Sequence, residues 1–463
     1  MLQGFQSEWD ALMLEVFTLK QQLTAAQQEL SNAMYQQDAA QRVIARLLKE
    51  REHYKSELSA VRSTSVSENG MDVDHDASSA SSSKSVLPSA LVKRIEAKTA
   101  ELSASREKRR IGPAVATRTE VPNYSSLSHQ SPHKTGGVNA LDVVVVVGGE
   151  AFSATNPEEL VVTGGADKSV IVLEKSSGKK IATLSGGFKK GVSAVRALSL
   201  SSSDSSSGAS SSSSSSIRVV AASDDGNISV WDAPSTSPST FSLTCTIRAG
   251  SSTITSLDVH PVGDLVLVGL DNGSFTMVDV STQTSFPSPS HEKLPSSVSV
   301  TDVKFHPDGE IFATASSGGA INVWAVASFE HMASFDGHSA SVVALSFSEN
   351  GISLASASED QTLRVWDLQE VGQVQITQLG AKPTALGFDL SGRFLAVAIS
   401  PAQAKASREI RVFTGRKCDL VATYELDAQK DVHALRWGHN AKSFVFAQDK
   451  SVHFWGPSAP STH

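Results

Sequence analysis

A single local pattern, repeated along the chain, limits what it can fold into. Ser356-Ala-Ser-Glu-Asp-Gln-Thr-Leu-Arg-Val-Trp-Asp367 reads as a strand, a tight turn and a second strand ending in Trp-Asp. Gly337-His338 stands eighteen residues ahead of Ser356. A Gly-His followed at that distance by Trp-Asp is the signature of one blade of a β-propeller. Used as a ruler, it finds equivalents at Ser169–Glu174, 227–232, Ser274–Asp279, Ala320–Ala325, Thr362–Asp367, Glu409–Thr414 and Ser451–Gly456. The tryptophan position is held by Leu173, Trp231, Val278, Trp324, Trp366, Phe413 and Trp455. Seven blades are therefore expected.

The 319 residues from 138 to 456 allow about 46 per blade, slightly above the usual ~40–45. The excess has visible sources: the serine run 201–216 and the irregular stretches 281–295 and 401–407. Each lies between predicted strands, where a loop lengthens cheaply because closure entropy grows slowly with length. Turn residues support the count. Asp167, Asp225, Asp271 and Asp360 precede the Trp-Asp strands, and His306-Pro-Asp-Gly309, Glu349-Asn-Gly351 and Leu390-Ser-Gly392 mark turns between the first two strands.

In the best blade, His338, Ser358, Asp360 and Trp366 match a hydrogen-bonded structural tetrad, with His338 bonding Asp360 and Ser358 and the indole closing the network. A Ser-His-Asp nucleophile is the competing chemistry, but it needs an exposed serine and an oxyanion hole, and this serine lies mid-strand. No other blade carries the full set. Gly186-Gly-Phe-Lys189 occupies a Gly-His position in degenerate form.

Ahead of the blades, residues 5–61 contain no proline or glycine. A three–four spacing from Trp9 selects Trp9, Leu12, Val16, Leu19, Leu23, Ala26, Leu30, Ala33, Gln37, Ala40, Ile44, Leu47, Arg51, Tyr54, Leu58 and Val61. Fourteen of these sixteen are apolar, which specifies a coiled-coil oligomerisation seam. Met13, Met34, Val43 and Leu48 widen the stripe toward a four-helix or higher assembly, with a dimer as the simpler alternative. Gln37 and Arg51 either fix register or mark where the helix bends.

From Ser63 the chain turns Ser-, Asp- and Ala-rich, as a disordered linker would. Residues 91–102 carry a weak helical pattern, and Arg106, Lys108, Arg109 and Arg110 form a basic cluster ahead of Gly112-Pro113. That cluster reads either as a solvated linker or as a nuclear localisation signal or weak phosphate contact. The expected organisation is a coiled coil over 1–62, a disordered linker with a short basic helix over 63–136, an all-β seven-bladed WD-repeat propeller over 137–457 and a disordered tail over 458–463.

Composition narrows the chemistry. A net charge of −8 argues against a dedicated polyanion binder, and no sequence-specific nucleic-acid contact is expected. Two cysteines, Cys245 and Cys418, build neither a disulfide framework nor a zinc site. No phosphate loop, His-Glu-x-x-His, signal peptide or membrane-length apolar run occurs. The residues give no catalytic, cofactor or metal site, and the expected setting is soluble and intracellular.

The N-terminal residues carry a more specific likeness. Glu8-Trp-Asp-Ala-Leu-Met13, Phe17-Thr-Leu-Lys-Gln-Gln-Leu23, Gln28-Glu-Leu-Ser31 and 38–47 resemble the central helix of the pre-mRNA-processing factor 19 family. Leu160–Lys168, Phe305–Gly309, Phe335–His338 and 347–351 are similar to its propeller. The resemblance implies a nuclear, homotetrameric scaffold of a spliceosome-activating complex, holding a cell-division-cycle-five-type partner and recruiting other splicing factors. It also implies a ubiquitin–protein ligase, a link to DNA repair and a U-box that docks a ubiquitin-conjugating enzyme. The family places that U-box ahead of its Trp-Asp-Ala helix, whereas eight residues precede Trp9 here. The expectation is a shortened member whose ligase activity would need a U-box supplied from elsewhere.

Overall fold

The computed structural model describes residues 86–108, 116–133, 136–146, 158–201, 215–235, 237, 239–288, 298–368, 372–401, 407–426, 430–438 and 441–457. The coiled-coil seam from Trp9 to Val61, Arg109, Arg110 and the tail lie outside them.

Among the described residues, twenty-eight strands form seven four-stranded antiparallel sheets. Blades 1 to 6 span 138–184, 192–248, 254–287, 300–335, 342–378 and 382–426, each a meander of four consecutive strands. Blade 7 takes three strands from 432–457, and its outermost strand is Tyr124–Gln130, antiparallel to Ser451–Pro457. All seven expected Trp-Asp segments fall on the third strand of their blades. Second strands such as Leu265–Leu270 and Ser353–Ser358 are buried at every residue, because sheets stacked around a ring are covered on both faces. The core is correspondingly a series of inter-blade clusters, such as Val220, Val230, Leu257 and Val268 between blades 2 and 3.

The stretch 63–136 was expected as a disordered linker with a short basic helix, and its described part contains a helix. Residues Ser89–Lys108 form a 20-residue helix, α1. Leu87, Leu91 and Ile95 are 2–6% exposed and pack with Leu265, Phe275, Phe312 and Phe329 of blades 3 and 4. Thr99 Oγ donates to the Asp308 carbonyl at 2.8 Å, and Arg94 pairs with Asp264. Burying an aliphatic side chain this fully stabilises by roughly 1.5–3 kcal/mol, so three of them hold the segment down. Arg106 and Lys108 belong to the last turn of α1.

The strand Tyr124–Gln130 had no sequence signal for a reason. It is an edge strand whose apolar residues are few: Tyr124 is buried while Leu127 is 54% exposed. Two phenols fasten its approach. Tyr124 Oη donates to the Ala441 carbonyl at 2.7 Å, and Tyr424 Oη donates to that of Val121.

Candidate functional site

Side-chain chemistry converges at two places, the tetrad of blade 5 and the inner channel. In the tetrad, His338 Nδ1 lies 2.8 Å from Asp360 Oδ2, and Nε2 lies 2.8 Å from Ser356 Oγ. Trp366 Nε1 donates to the same Ser356 oxygen at 2.8 Å. The tetrad serine is thus Ser356 and not Ser358. Two residues apart on one strand, both point to the same side of the sheet. Ser356 pairs across to Arg364, two residues before Trp366, which brings its hydroxyl beneath the indole. Ser358 instead donates to the Ala340 carbonyl at 3.1 Å and accepts from the Asp360 amide at 3.2 Å. It shapes the turn.

One proton arrangement satisfies every group. The Asp360 carboxylate accepts from Nδ1–H, Ser356 donates to Nε2, and the indole donates to Ser356. Burial raises the Asp360 carboxyl, but hydrogen bonds from Thr362 and His338 outweigh it and hold the group at about 2. Burial pushes His338 below its ordinary value against the pull of Asp360. Ser356 is fully buried, so its hydroxyl meets no substrate.

Other blades carry partial versions. In blade 1, His133 Nδ1 lies 2.9 Å from Asp167 Oδ1 and Nε2 lies 3.1 Å from Thr163 Oγ, with Leu173 at the indole position. Here Pro132-His133 replaces Gly-His, and the histidine precedes its aspartate by 34 residues where His338 precedes by 22. The long connection between the first two strands hid the pairing. In blade 2, Phe188 packs edge-on to Trp231 at 6.1 Å, much as His338 meets Trp366 at 6.2 Å. In blade 4, Trp324 Nε1 donates to Thr314 Oγ at 3.0 Å.

The inner strands build the second constellation. Each pairs to its neighbour with a bulge near its start, after the opening residue in six blades and after the second residue, Pro383, in blade 6, so positions counted from the bulge fall at one level. That level is occupied by Asp142, Arg196, Asp258, Lys304, Ser346, Gly387 and Arg436. These groups stitch each blade to the next. Asp142 accepts from the Ala197 amide at 2.9 Å, Arg196 donates to Asp258 at 2.7 Å, and Asp258 accepts from the Phe305 amide at 2.7 Å. Asp302, paired with Lys304 at 2.6 Å, accepts from the Leu345 amide at 2.9 Å, and Ser346 accepts from the Phe388 amide at 3.0 Å. Trp437 Nε1 donates to the Gly387 carbonyl at 3.0 Å, and Arg436 donates to Asp142 at 3.0 Å, closing the circle. Burial lowers Lys304, while for Arg196 burial is outweighed by Asp258 and Asp142, which raise it.

The residue four places after the one that precedes the bulge, fifth in six inner strands and sixth in that of blade 6, was the sequence signal for this ring. Its alternating charges are visible only after the blades are aligned. The remaining cavity of about 240 Å³ is lined by these strands, with Asn139, Thr301 and His433 among its polar groups. Among the described residues no cluster of three or more His, Cys, Asp or Glu could hold a metal. Cys245 and Cys418 are both free and buried. The polar groups of the tetrad and of the inner ring are bonded to one another and to backbone amides.

Residues 1–61 match the family model described as Prp19/Pso4-like, and residues 288–325 and 329–367 match the WD domain, G-beta repeat. Among curated proteins, "Pre-mRNA-processing factor 19 homolog 2" of Arabidopsis thaliana is 29% identical over 98% of this chain and 83% of its own length. "Pre-mRNA-processing factor 19" of Dictyostelium discoideum is 29% identical over 97% and 84%. That of Mus musculus is 32% identical over 75% of this chain and 65% of its own length.

Proposed function

The chain belongs to the pre-mRNA-processing factor 19 family, and from that premise we propose that it is a nuclear scaffold subunit of a splicing complex. Its N-terminal 61 residues assemble copies into a tetramer through the seam that includes Leu23 and Leu30. That assembly holds a cell-division-cycle-five-type partner, and the propeller turns recruit further splicing proteins. One observation carries the reading. Relatives bearing the pre-mRNA-processing name align over 97–98% of the chain, so the N-terminal segment and the propeller are retained together. The joint arrangement suits a scaffold, since linking several rigid propellers multiplies weak contacts by raising effective concentration.

Complementation tests the role. In a nuclear extract depleted of its own factor, the full chain should restore splicing of a reporter transcript. The Leu23→Asp/Leu30→Asp variant should sediment as a monomer and restore little, because a charge buried in a seam is costly. A wild-type chain that leaves splicing unrestored would overturn the role, and one that sediments as a monomer at micromolar concentration would overturn the assembly.

A further inference from the structure

On the face that carries α1, the first and third connections of blade 6 meet. The turn at Gly392 and the turn at Gly415 approach so closely that a Cβ on Gly415 would lie 2.2 Å from the Gly392 carbonyl oxygen. Together with Ala116 they frame an open groove of about 480 Å³, with Phe394 at its base. Four cations surround it: Arg118, Arg393, Arg416 and Lys417, against one acidic lining residue, Asp419. All four are exposed. Arg118 reaches Asp419 only at 3.9 Å, and Arg416 reaches Asp367 at 3.5 Å. Arg393 and Lys417 have no ion pair among the described residues.

This contrasts with the buried cations of the propeller. The buried cations of the inner ring and Arg218 are each matched by carboxylates at 2.6–3.0 Å. Three guanidinium groups with unspent donors around an apolar base suit an acidic side chain flanked by an apolar one, because arginine binds carboxylate or phosphate bidentately. A volume of this size takes a few side chains of an extended segment. It is too short for the long cationic track by which proteins follow a nucleic-acid strand, and the chain's net charge of −8 opposes such a track.

We propose that the blade 6 groove is a docking site for an acidic peptide segment of a partner protein, with phosphoserine or glutamate seated between Arg393, Arg416 and Lys417. This deepens the recruiting role proposed above, yet the two can fail separately, since peptide binding is read without a splicing assay.

The test uses the full chain and fluorescence anisotropy. The probes are a nine-residue peptide containing glutamate, phosphoserine and one leucine, its glutamine/serine counterpart, and a nine-nucleotide uridine RNA. The acidic peptide should bind at least tenfold more tightly than the other two. Arg393→Glu/Lys417→Glu should cost at least tenfold, whereas Arg248→Glu on blade 2 should change binding less than twofold. Both variants should unfold at the wild-type temperature, because the substituted groups are exposed. Equal binding by the neutral peptide, tighter binding by the RNA, or an unchanged affinity in the blade 6 variant would each overturn the proposal. Leucine replaced by serine in the acidic peptide should cost a further few-fold if the apolar base contributes.

Discussion

Ser356 organises the blade 5 network because its hydroxyl joins the imidazole to the indole, donating to one and accepting from the other. It gives its proton to His338 Nε2 and takes that of Trp366, both in a fully buried setting. Ser356→Ala therefore strands an indole N–H without a partner, and such an orphaned group costs about 1–3 kcal/mol. The loss should vanish in part when the indole N–H is also removed. In a double-mutant cycle, Ser356→Ala and Trp366→Phe should couple by about 1 kcal/mol in urea unfolding. Ser358→Ala and Trp366→Phe should instead add to within about 0.5 kcal/mol, since those side chains share no bond. Additivity in the first cycle would show that the Trp366–Ser356 bond contributes nothing net.

At the scale of elements, the first described segments belong to the propeller as firmly as its own blades. Without Tyr124–Gln130, the strand Ser451–Pro457 would be a bare edge, and unpaired edges recruit other chains. The buried phenol of Tyr124 and the bond from Tyr424 to Val121 would be lost with it. A chain beginning at residue 137 should melt about 5–10 °C below one beginning at residue 86, and should aggregate on gel filtration. An equal melting temperature would mean that the closing strand adds no stability. The same segment shows where the sequence could be read and where it could not. Seven third strands were legible because each keeps an apolar run with an aromatic or aliphatic residue at the same place, in four of them behind a turn aspartate. Tyr124–Gln130 was not, because an edge strand needs only one buried face and its ladder hydrogen bonds come from backbone. α1 was half legible: Leu91 and Ile95 show a helical spacing, but the apolar face they cover lies about 170–240 residues away in blades 3 and 4. The tetrad serine was misplaced by two residues, since register across a strand pair, and not spacing along the chain, decides which hydroxyl lies under Trp366.

At the scale of the whole molecule, the ring is closed by buried polar groups that differ in how they respond to acid. Histidines 133, 260, 338 and 453 are all held below their ordinary value, in each case chiefly by burial. His260 is lowered furthest, to about 4. It is wholly buried, with Nε2 2.9 Å from the Gly309 carbonyl and Nδ1 accepting from the Val262 amide. A histidine whose folded pKa is depressed stays neutral in the fold while the unfolded chain takes a proton near 6.5. Its contribution is thus complete above about pH 6.5 and is lost as the pH falls toward the folded value. Asp360, held at about 2, behaves as a depressed acid: its contribution is present above about pH 4 and is lost below it. Propeller stability should accordingly be level from about pH 8 to 7, decline between 6.5 and 4, and steepen below 4. His260→Gln keeps an acceptor and a donor at the site but cannot take up a proton. Its urea midpoint should fall less steeply over pH 6 to 4.5 than that of the wild type, by about one proton's worth, or roughly 1.4 kcal/mol per pH unit. A variant whose slope matches the wild type in that window would remove His260 from the account and place the acid response on the other buried histidines.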